Sequence, residues 1–309
     1  MLVYITRRLF LFIPTAIAIS IIVFILIRFA PGDPVINMLG RSYSPEAEKE
    51  LRHHLGLDEP IPVQYALWFG RVMRGDLGKG LVFQQPVSEL IRERLPTTAV
   101  LAGVSVILAL GIAVPLGILS AVKQNSLVDD LGRIVAIVSV SMPVFWQGLL
   151  LLIVFAYHIP WFPPGGSLQQ FGLKALVLPT IALGTGLAAL LMRMVRSTMI
   201  EVLQLDYIRT ARAKGLSERL VLYRHALKNA LVPLVTVAGL QFGSLLGGAV
   251  LTESVFGLPG LGRLLVEAVN HRDYTIIQGC VLFITFVFMV INLILDITYA
   301  FIDPRIRFT

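Results

Sequence analysis

An all-α integral membrane protein is the fold class this sequence predicts, on three observations. Apolar residues come in runs of about 20, the length needed to cross a hydrocarbon core about 30 Å thick. Only 15% of the 309 residues are charged and 56% are hydrophobic, whereas soluble domains carry about 25% charged residues. The basic residues crowd short loops beside the apolar runs instead of forming one soluble face, which is the pattern of membrane topology. That placement also argues against nucleic acid as the reason for a net charge of +7.

Six transmembrane helices are expected, over residues 9–30, 97–122, 134–159, 174–192, 230–251 and 275–302 of a single transmembrane domain spanning 1–309. The fourth is the shortest and carries Gly184 and Gly186. Lys and Arg counts in short loops set the orientation. Arg7, Arg8, Lys123, Arg133, Arg305, Arg307 and the eight of a 193–229 connector fall on one side, against Lys174, Arg263 and Arg272 on the other. Both termini are therefore expected in the cytoplasm, with a long, nearly charge-balanced external loop at 31–96. The first apolar run is too long for a signal-peptide core and no Ala-x-Ala site follows it, so it reads as the first membrane helix. Arg28, near its outer end, is expected to snorkel to the headgroups.

In the external loop, the two prolines of Pro31-Gly-Asp-Pro34 predict a tight exit from the first span. Ser44-Pro45-Glu46 reads as a helix start, with Ser44 as N-cap and Pro45 at the first helical position. That helix carries Leu51 and Leu55 one turn apart and ends near Gly56. A second, over 63–73, carries Tyr65, Leu67, Trp68, Phe69 and Val72. Such a segment lies in the membrane interface or caps an external opening.

Pro143, after Ser141-Met142, predicts a kink in the third span. Trp161-Phe-Pro-Pro-Gly-Gly166 reads as a rigid outward turn with an aromatic anchor. Gly239, Gly243 and Gly247 lie at four-residue spacing on the fifth span, with Gly248 following. Small residues at that spacing permit close helix contact, within the bundle or with a partner bundle. Asp296 in the last span is costly in a bilayer, and Asn292 and Tyr299 share its face. This polar stripe points to the translocation pathway or an interhelical contact, or places Asp296 close to the inner interface. Cys280, the one cysteine, lies inside the last span as a small core residue.

The 193–229 connector is the most informative segment. It carries Arg193, Arg196, Arg209, Arg212, Lys214, Arg219, Arg224 and Lys228 against Glu201, Asp206 and Glu218. Asp206 is placed to cap a helix of about two turns, which Gly215 ends. Ser217 is placed to cap a second, with Leu220, Tyr223, Leu227 and Leu231 on one stripe running into the fifth span. A helix–turn–helix fixed between two spans moves as a unit with them, which suits a docking surface for a cytoplasmic partner.

Here the chain resembles the permease subunits of ABC importers, particularly the dipeptide, oligopeptide and nickel group. Their shared signature is Glu-Ala-Ala, three residues, Gly, nine residues, Ile-x-Leu-Pro. Ala211, Gly215 and Leu227 match it, while Arg209 and Thr210 replace the Glu and first Ala, His225 the Ile and Lys228 the Pro. The form Asp206-Tyr-Ile-Arg-Thr-Ala-Arg-Ala-Lys-Gly215 is similar to that of the peptide branch. So, in order along the chain, are Arg7-Arg8, Pro31-Gly-Asp-Pro34, Leu55-Gly-Leu-Asp-Glu-Pro60, Gly75-Asp-Leu-Gly78, Ser141-Met-Pro143, Gly257-Leu-Pro-Gly-Leu-Gly-Arg263, Arg272-Asp-Tyr274 and Asp303-Pro-Arg305.

The resemblance implies an inner-membrane component, bacterial or archaeal, pairing with a second related permease. It implies two ATP-binding subunits beneath, which hold the ATP and magnesium, and an external solute-binding protein that delivers dipeptides or short oligopeptides. Nickel or glutathione-like solutes are the alternative cargo. Asp206, Arg209, Ala211, Arg212, Lys214, Gly215, Leu216 and Ser217 would form the ATPase-coupling element. The chain itself is expected to be no enzyme and to hold no cofactor: it has no Gly-x-x-x-x-Gly-Lys-Ser/Thr phosphate loop. Gly257-x-x-Gly260-x-Gly262 lacks a preceding strand and reads as a turn, not a dinucleotide fingerprint. His53, His54, His158, His225 and His271 have no metal-ligand spacing. The rival class is a secondary carrier or channel independent of ATP. A channel wants a filter loop or charged ring, and a proton-coupled carrier wants several intramembrane acids, where only Asp296 qualifies.

Overall fold

Uninterrupted Leu, Ile, Val and Ala runs, with most prolines confined to helix starts and breaks, leave the backbone no partner but itself in an apolar medium. The computed structural model describes residues 2–29, 35, 39, 44–54, 58–80 and 83–302. Among them the chain is helical, with no strand beyond an isolated Lys79–Pro86 bridge. Pro31-Gly-Asp-Pro34, the Leu55–Gly56 helix end and Asp303-Pro-Arg305 lie outside the described residues, as do the side chains of Arg7, Arg28 and Tyr299.

The elements in chain order are α1 (Leu2–Phe29), α2 (Pro45–His54), α3 (Ile61–Val72), α4 (Val87–Val122), α5 (Leu127–Ser141), α6 (Val144–Leu152) and the one-turn α7 (Leu168–Phe171). They continue as α8 (Lys174–Leu203), α9 (Asp206–Ala213), α10 (Glu218–Leu220), α11 (Leu227–Gly248), α12 (Val250–Val255), α13 (Leu261–Asn270) and α14 (Tyr274–Ile302). By length and composition α4, α8 and α14 are each fit to cross a bilayer, and five spans result if two bent pairs each count as one. The apolar stretch of α1, Phe10–Ile25, is shorter.

α4 and α8 form the centre of the bundle and pack most extensively on each other. Small residues mark their contact: Gly117 of α4 lies against Val195, Gly184 of α8 lies against Ser105 and Leu108, and Ala109, Ala113 and Ala188 share one buried core. Small side chains let the two backbones approach, the main source of packing energy where lipid removes the hydrophobic drive. α5 and α6 flank α8 on one side, and α11 and then α14 on the other, with α1 outermost against α14. Large apolar side chains such as Phe10, Ile107 and Leu131 stay exposed around the bundle, as a lipid-facing surface requires.

Several expectations meet their geometry here. The Ala47 N–H donates to Ser44 Oγ at 3.1 Å, so Ser44 caps α2 with Pro45 first in the helix. α3 lies against α1 through Phe24, Tyr65 and Trp68, with Phe69 stacked on Tyr65 within α3 and a Ser20–Tyr65 hydroxyl pair at 2.7 Å. At Pro143 the third run breaks instead of kinking, since α5 and α6 diverge by 98° across Met142-Pro143. Proline has no N–H and pushes the preceding residue into extended backbone; Met142 adopts ψ 125°. Gly239 and Gly243 of the fifth span pack within the bundle. A Cβ at Gly239 would overlap the Leu295 side chain, and one at Gly243 would meet Phe288, both on α14.

Candidate functional site

The basic connector leaves the end of α8 and returns as α11, and its local structure follows from three residues. Leu205 is extended and starts α9, so Asp206 is the first helical residue and not the N-cap expected of it. Its carboxylate is exposed and pairs with Arg209 one turn on, at 3.4 Å, while still complementing the helix N-terminus. Gly215 sits at φ +76° directly after α9, with nothing within 4 Å of where a Cβ would stand. Glycine is required there by the left-handed backbone alone, because space is free. Ser217 holds the N-cap position of α10 as expected, but its side chain makes no capping bond.

The predicted stripe Leu220–Tyr223–Leu227–Leu231 does not form. Residues Val221–Ala226 make a π turn, which inserts one extra residue and rotates the following face. The buried line is Val221, Ala226, Ala230, Leu234 and Ala238, leaving Tyr223 and Leu231 exposed.

The connector is a folded unit. Ile208 and Ala211 of α9 are buried in the central core, with Leu216 packed against its edge. Arg212 reaches across Gly215 to Glu218 at 2.7 and 3.2 Å, and holds that carboxyl below its ordinary range. The Asn229 side-chain amide donates to Tyr207 Oη at 2.5 Å, tying α9 to α11. Arg209, Lys214, Gly215 and Ser217 face outward beside Asp206 and Arg212. Of the eight residues picked from the sequence, six therefore form an exposed ledge, three of them basic. Ala211 and Leu216 anchor it. Sequence reasoning missed Tyr207, Glu218 and Asn229, because their partners lie beyond one helical turn.

Beneath the ledge lies a second cluster unseen in the sequence. Asp129, fully buried at the start of α5, accepts from Arg196 Nε and Nη2 of α8, each at 2.7 Å. It also accepts from the Ser120 hydroxyl of α4 and, at 3.1 Å, from the Asn125 N–H. A bidentate guanidinium–carboxylate pair is directional as well as strong. It fastens the end of α8 to α4 and α5 ten residues before the connector helices begin.

At the other turn of the bundle, Glu253 of α12 is fully buried. Thr98 donates its hydroxyl to Glu253 Oε1 at 2.6 Å and accepts the Leu261 N–H at 2.8 Å. The Arg263 N–H donates to Glu253 Oε2 at 3.0 Å, and the Arg263 guanidinium closes the turn on the Gly257 carbonyl at 2.6 Å. Burial pushes the Glu253 carboxyl up, against the pull of these donors. A Cβ on Gly260 would collide with that carboxylate, which explains a glycine there. Gly257, at φ +60°, makes the turn read from the sequence.

Asp296 forms an ion pair with Arg8 of α1. With Asn292 it lines a groove of about 370 Å³ between α1 and α14, so the last span's polar stripe meets the outermost helix. Among the described residues no His, Cys, Asp and Glu group could hold a metal ion.

Solved structures share this helical bundle's fold. The MetNI methionine ABC transporter, in inward-facing conformations, superposes with TM-scores of 0.56 and 0.59 at 20% identity, covering 69% of this chain and 96% of that one. The chain belongs to the family described as "Binding-protein-dependent transport system inner membrane component", matched over residues 113–308, with the family's N-terminal region matched over 1–102. It is 44% identical to the dipeptide transport system permease protein DppB of Alkalihalophilus pseudofirmus, with all of both chains covered. It is 41% identical to the glutathione transport system permease protein GsiC of Salmonella typhimurium, again over all of both chains. The Escherichia coli DppB is 40% identical, with 99% of each covered.

Proposed function

We propose that this chain is one half of the translocation pathway of an ATP-driven importer for dipeptides or short oligopeptides. The reading places six spans in the inner membrane with both termini cytoplasmic and residues 31–96 outside. A second, related permease completes the pathway. Two ATP-binding subunits carry ATP and magnesium and hydrolyse it, and an external binding protein delivers the peptide. The observation that carries the reading is the full-length likeness to dipeptide permeases, at 44% identity with no region of either chain left over. Glutathione is itself a small peptide, so the GsiC likeness supports the same solute class.

The α9–Gly215–α10 ledge is the coupling element in this reading. Its exposed face of Asp206, Arg209, Arg212, Lys214 and Ser217 meets an ATP-binding subunit. Ile208 and Ala211, buried beneath, pass the displacement to α8 and α11. Closure of the ATPase pair then tilts the bundle as a unit, alternating access to the pathway. The test is uptake of a labelled dipeptide into proteoliposomes holding both permeases, with the binding protein outside. Uptake is expected only when both ATP-binding subunits and internal ATP are present. Uptake at the same rate without them establishes a secondary carrier or channel instead.

A further inference from the structure

A cleft of about 380 Å³ opens on the face formed by α5, α6, α8 and α11. The α5–α6 break leaves Ser139 and Met142 at its edge, Gly186 and Arg193 line it from α8, and Gln241 and Ser244 from α11. The other grooves of the bundle differ in chemistry. One of about 650 Å³ between α4, α11 and α14 is lined by side chains such as Ile107, Leu234 and Ile291, as suits lipid. The α1–α14 groove holds a cation, Arg8, but Asp296 pairs with it. Arg193 is exposed, and no carboxylate pairs with it among the described residues.

Amide, hydroxyl and guanidinium groups at membrane depth belong beside water or protein, not lipid. From Lys174 to Arg193 α8 rises about 28 Å, nearly the thickness of the hydrocarbon core. Arg193 therefore stands at the far mouth of the cleft, with the neutral polar groups further in. A lone cation at the end of a low-dielectric groove concentrates anions there. Ser139, Gln241 and Ser244 offer hydrogen bonds without charge, which suits brief contact and release.

Building on the proposed importer, we infer that this cleft is the chain's share of the solute pathway and that Arg193 draws the free carboxylate of a peptide toward the inner mouth. Arg193 thus belongs to the pathway and not to the docking ledge. The second permease supplies the facing wall.

Ser244→Cys in the assembled importer, held in nanodiscs, tests this, since the native Cys280 is fully buried and contributes little background. The readout is the rate of modification by an anionic reagent, sulfonatoethyl methanethiosulfonate, against a cationic one, the trimethylammonioethyl analogue. Both are expected to react, and Arg193→Gln is expected to lower the anionic-to-cationic rate ratio about tenfold, with Arg193→Lys retaining most of it. Dialanine is expected to slow modification more than dialanine amide does, and Arg193→Gln to erase that difference. Gly186→Cys, where a Cβ meets open space, is a second reporter should Ser244→Cys fail to assemble. No reaction at either position, or a ratio indifferent to Arg193→Gln, overturns the inference. So does a ratio that Arg193→Gln alters only when anionic lipid is present, which assigns the cation to a headgroup phosphate. These rates are read without transport, so an importer that takes up peptide while its cleft stays unreactive refutes this inference alone.

Discussion

Asp129→Asn should loosen the corner from which the connector ledge is suspended, by an amount the geometry sets. Asp129 has no exposed surface, and the Arg196 side chain keeps only 19% of its own. Removing one partner of a buried ion pair costs about 3–5 kcal/mol, because the other charge is left without an anion in a poor solvent. Arg196 retains some access to water, which places the loss near the lower bound. A cost of about 3 kcal/mol is roughly a 150-fold increase in opening of the α4–α5–α8 corner. Denaturant titration in mixed micelles, on Asp129→Asn, Arg196→Gln and the double variant, measures it. The double variant should cost clearly less than the two singles added, since neither charge is then stranded. Uptake per ATP hydrolysed should fall in each single variant and recover in part in the double. Singles that each cost less than about 0.5 kcal/mol, or a strictly additive double, would refute the claim that this pair holds the ledge.

Gly215→Ala meets no neighbour but must keep φ +76°, so a loss of about 1 kcal/mol is expected in the same titration. Gly215→Pro cannot reach that φ; the bundle should still insert, while ATP hydrolysis no longer drives uptake. Gly239→Val forces a side chain into Leu295 on α14, and overpacking of this kind costs about 1–3 kcal/mol, read as a lower thermal midpoint. Glu253 gives a pH signature. Its carboxyl is raised in the folded protein, so the native state holds a proton that the unfolded chain has released. Its contribution to stability therefore falls as pH rises from the ordinary carboxyl range through the raised value. Glu253→Gln should flatten that part of the stability–pH profile.

The class of fold was legible because a bilayer demands long apolar runs and self-satisfied helices, and those demands appear in composition. Gly215 was legible for a local reason, since only glycine takes a left-handed turn freely. What escaped were groups whose meaning depends on a distant partner. Thr98 and Glu253 are 155 positions apart and Asp129 and Arg196 are 67, so nothing in either neighbourhood announces the pair. The glycine spacing at 239 and 243 foretold a close helix contact, but periodicity does not name the facing helix. The π turn at Val221–Ala226 defeated the stripe prediction because one inserted residue turns every later side chain by about 100°. Asp296 stood out as an acid in an apolar run, and only the fold supplied Arg8 as its partner.

The most direct test of the central claim is photocrosslinking from the ledge in the assembled complex. A photoreactive residue in place of Lys214 or Arg209, both exposed on α9 and its C-terminal turn, should crosslink to an ATP-binding subunit. The same residue at Leu131, on the apolar surface of α5, should capture lipid. Crosslinks from Lys214 and Arg209 that never reach an ATP-binding subunit, in a complex that hydrolyses ATP and imports peptide, would contradict the account.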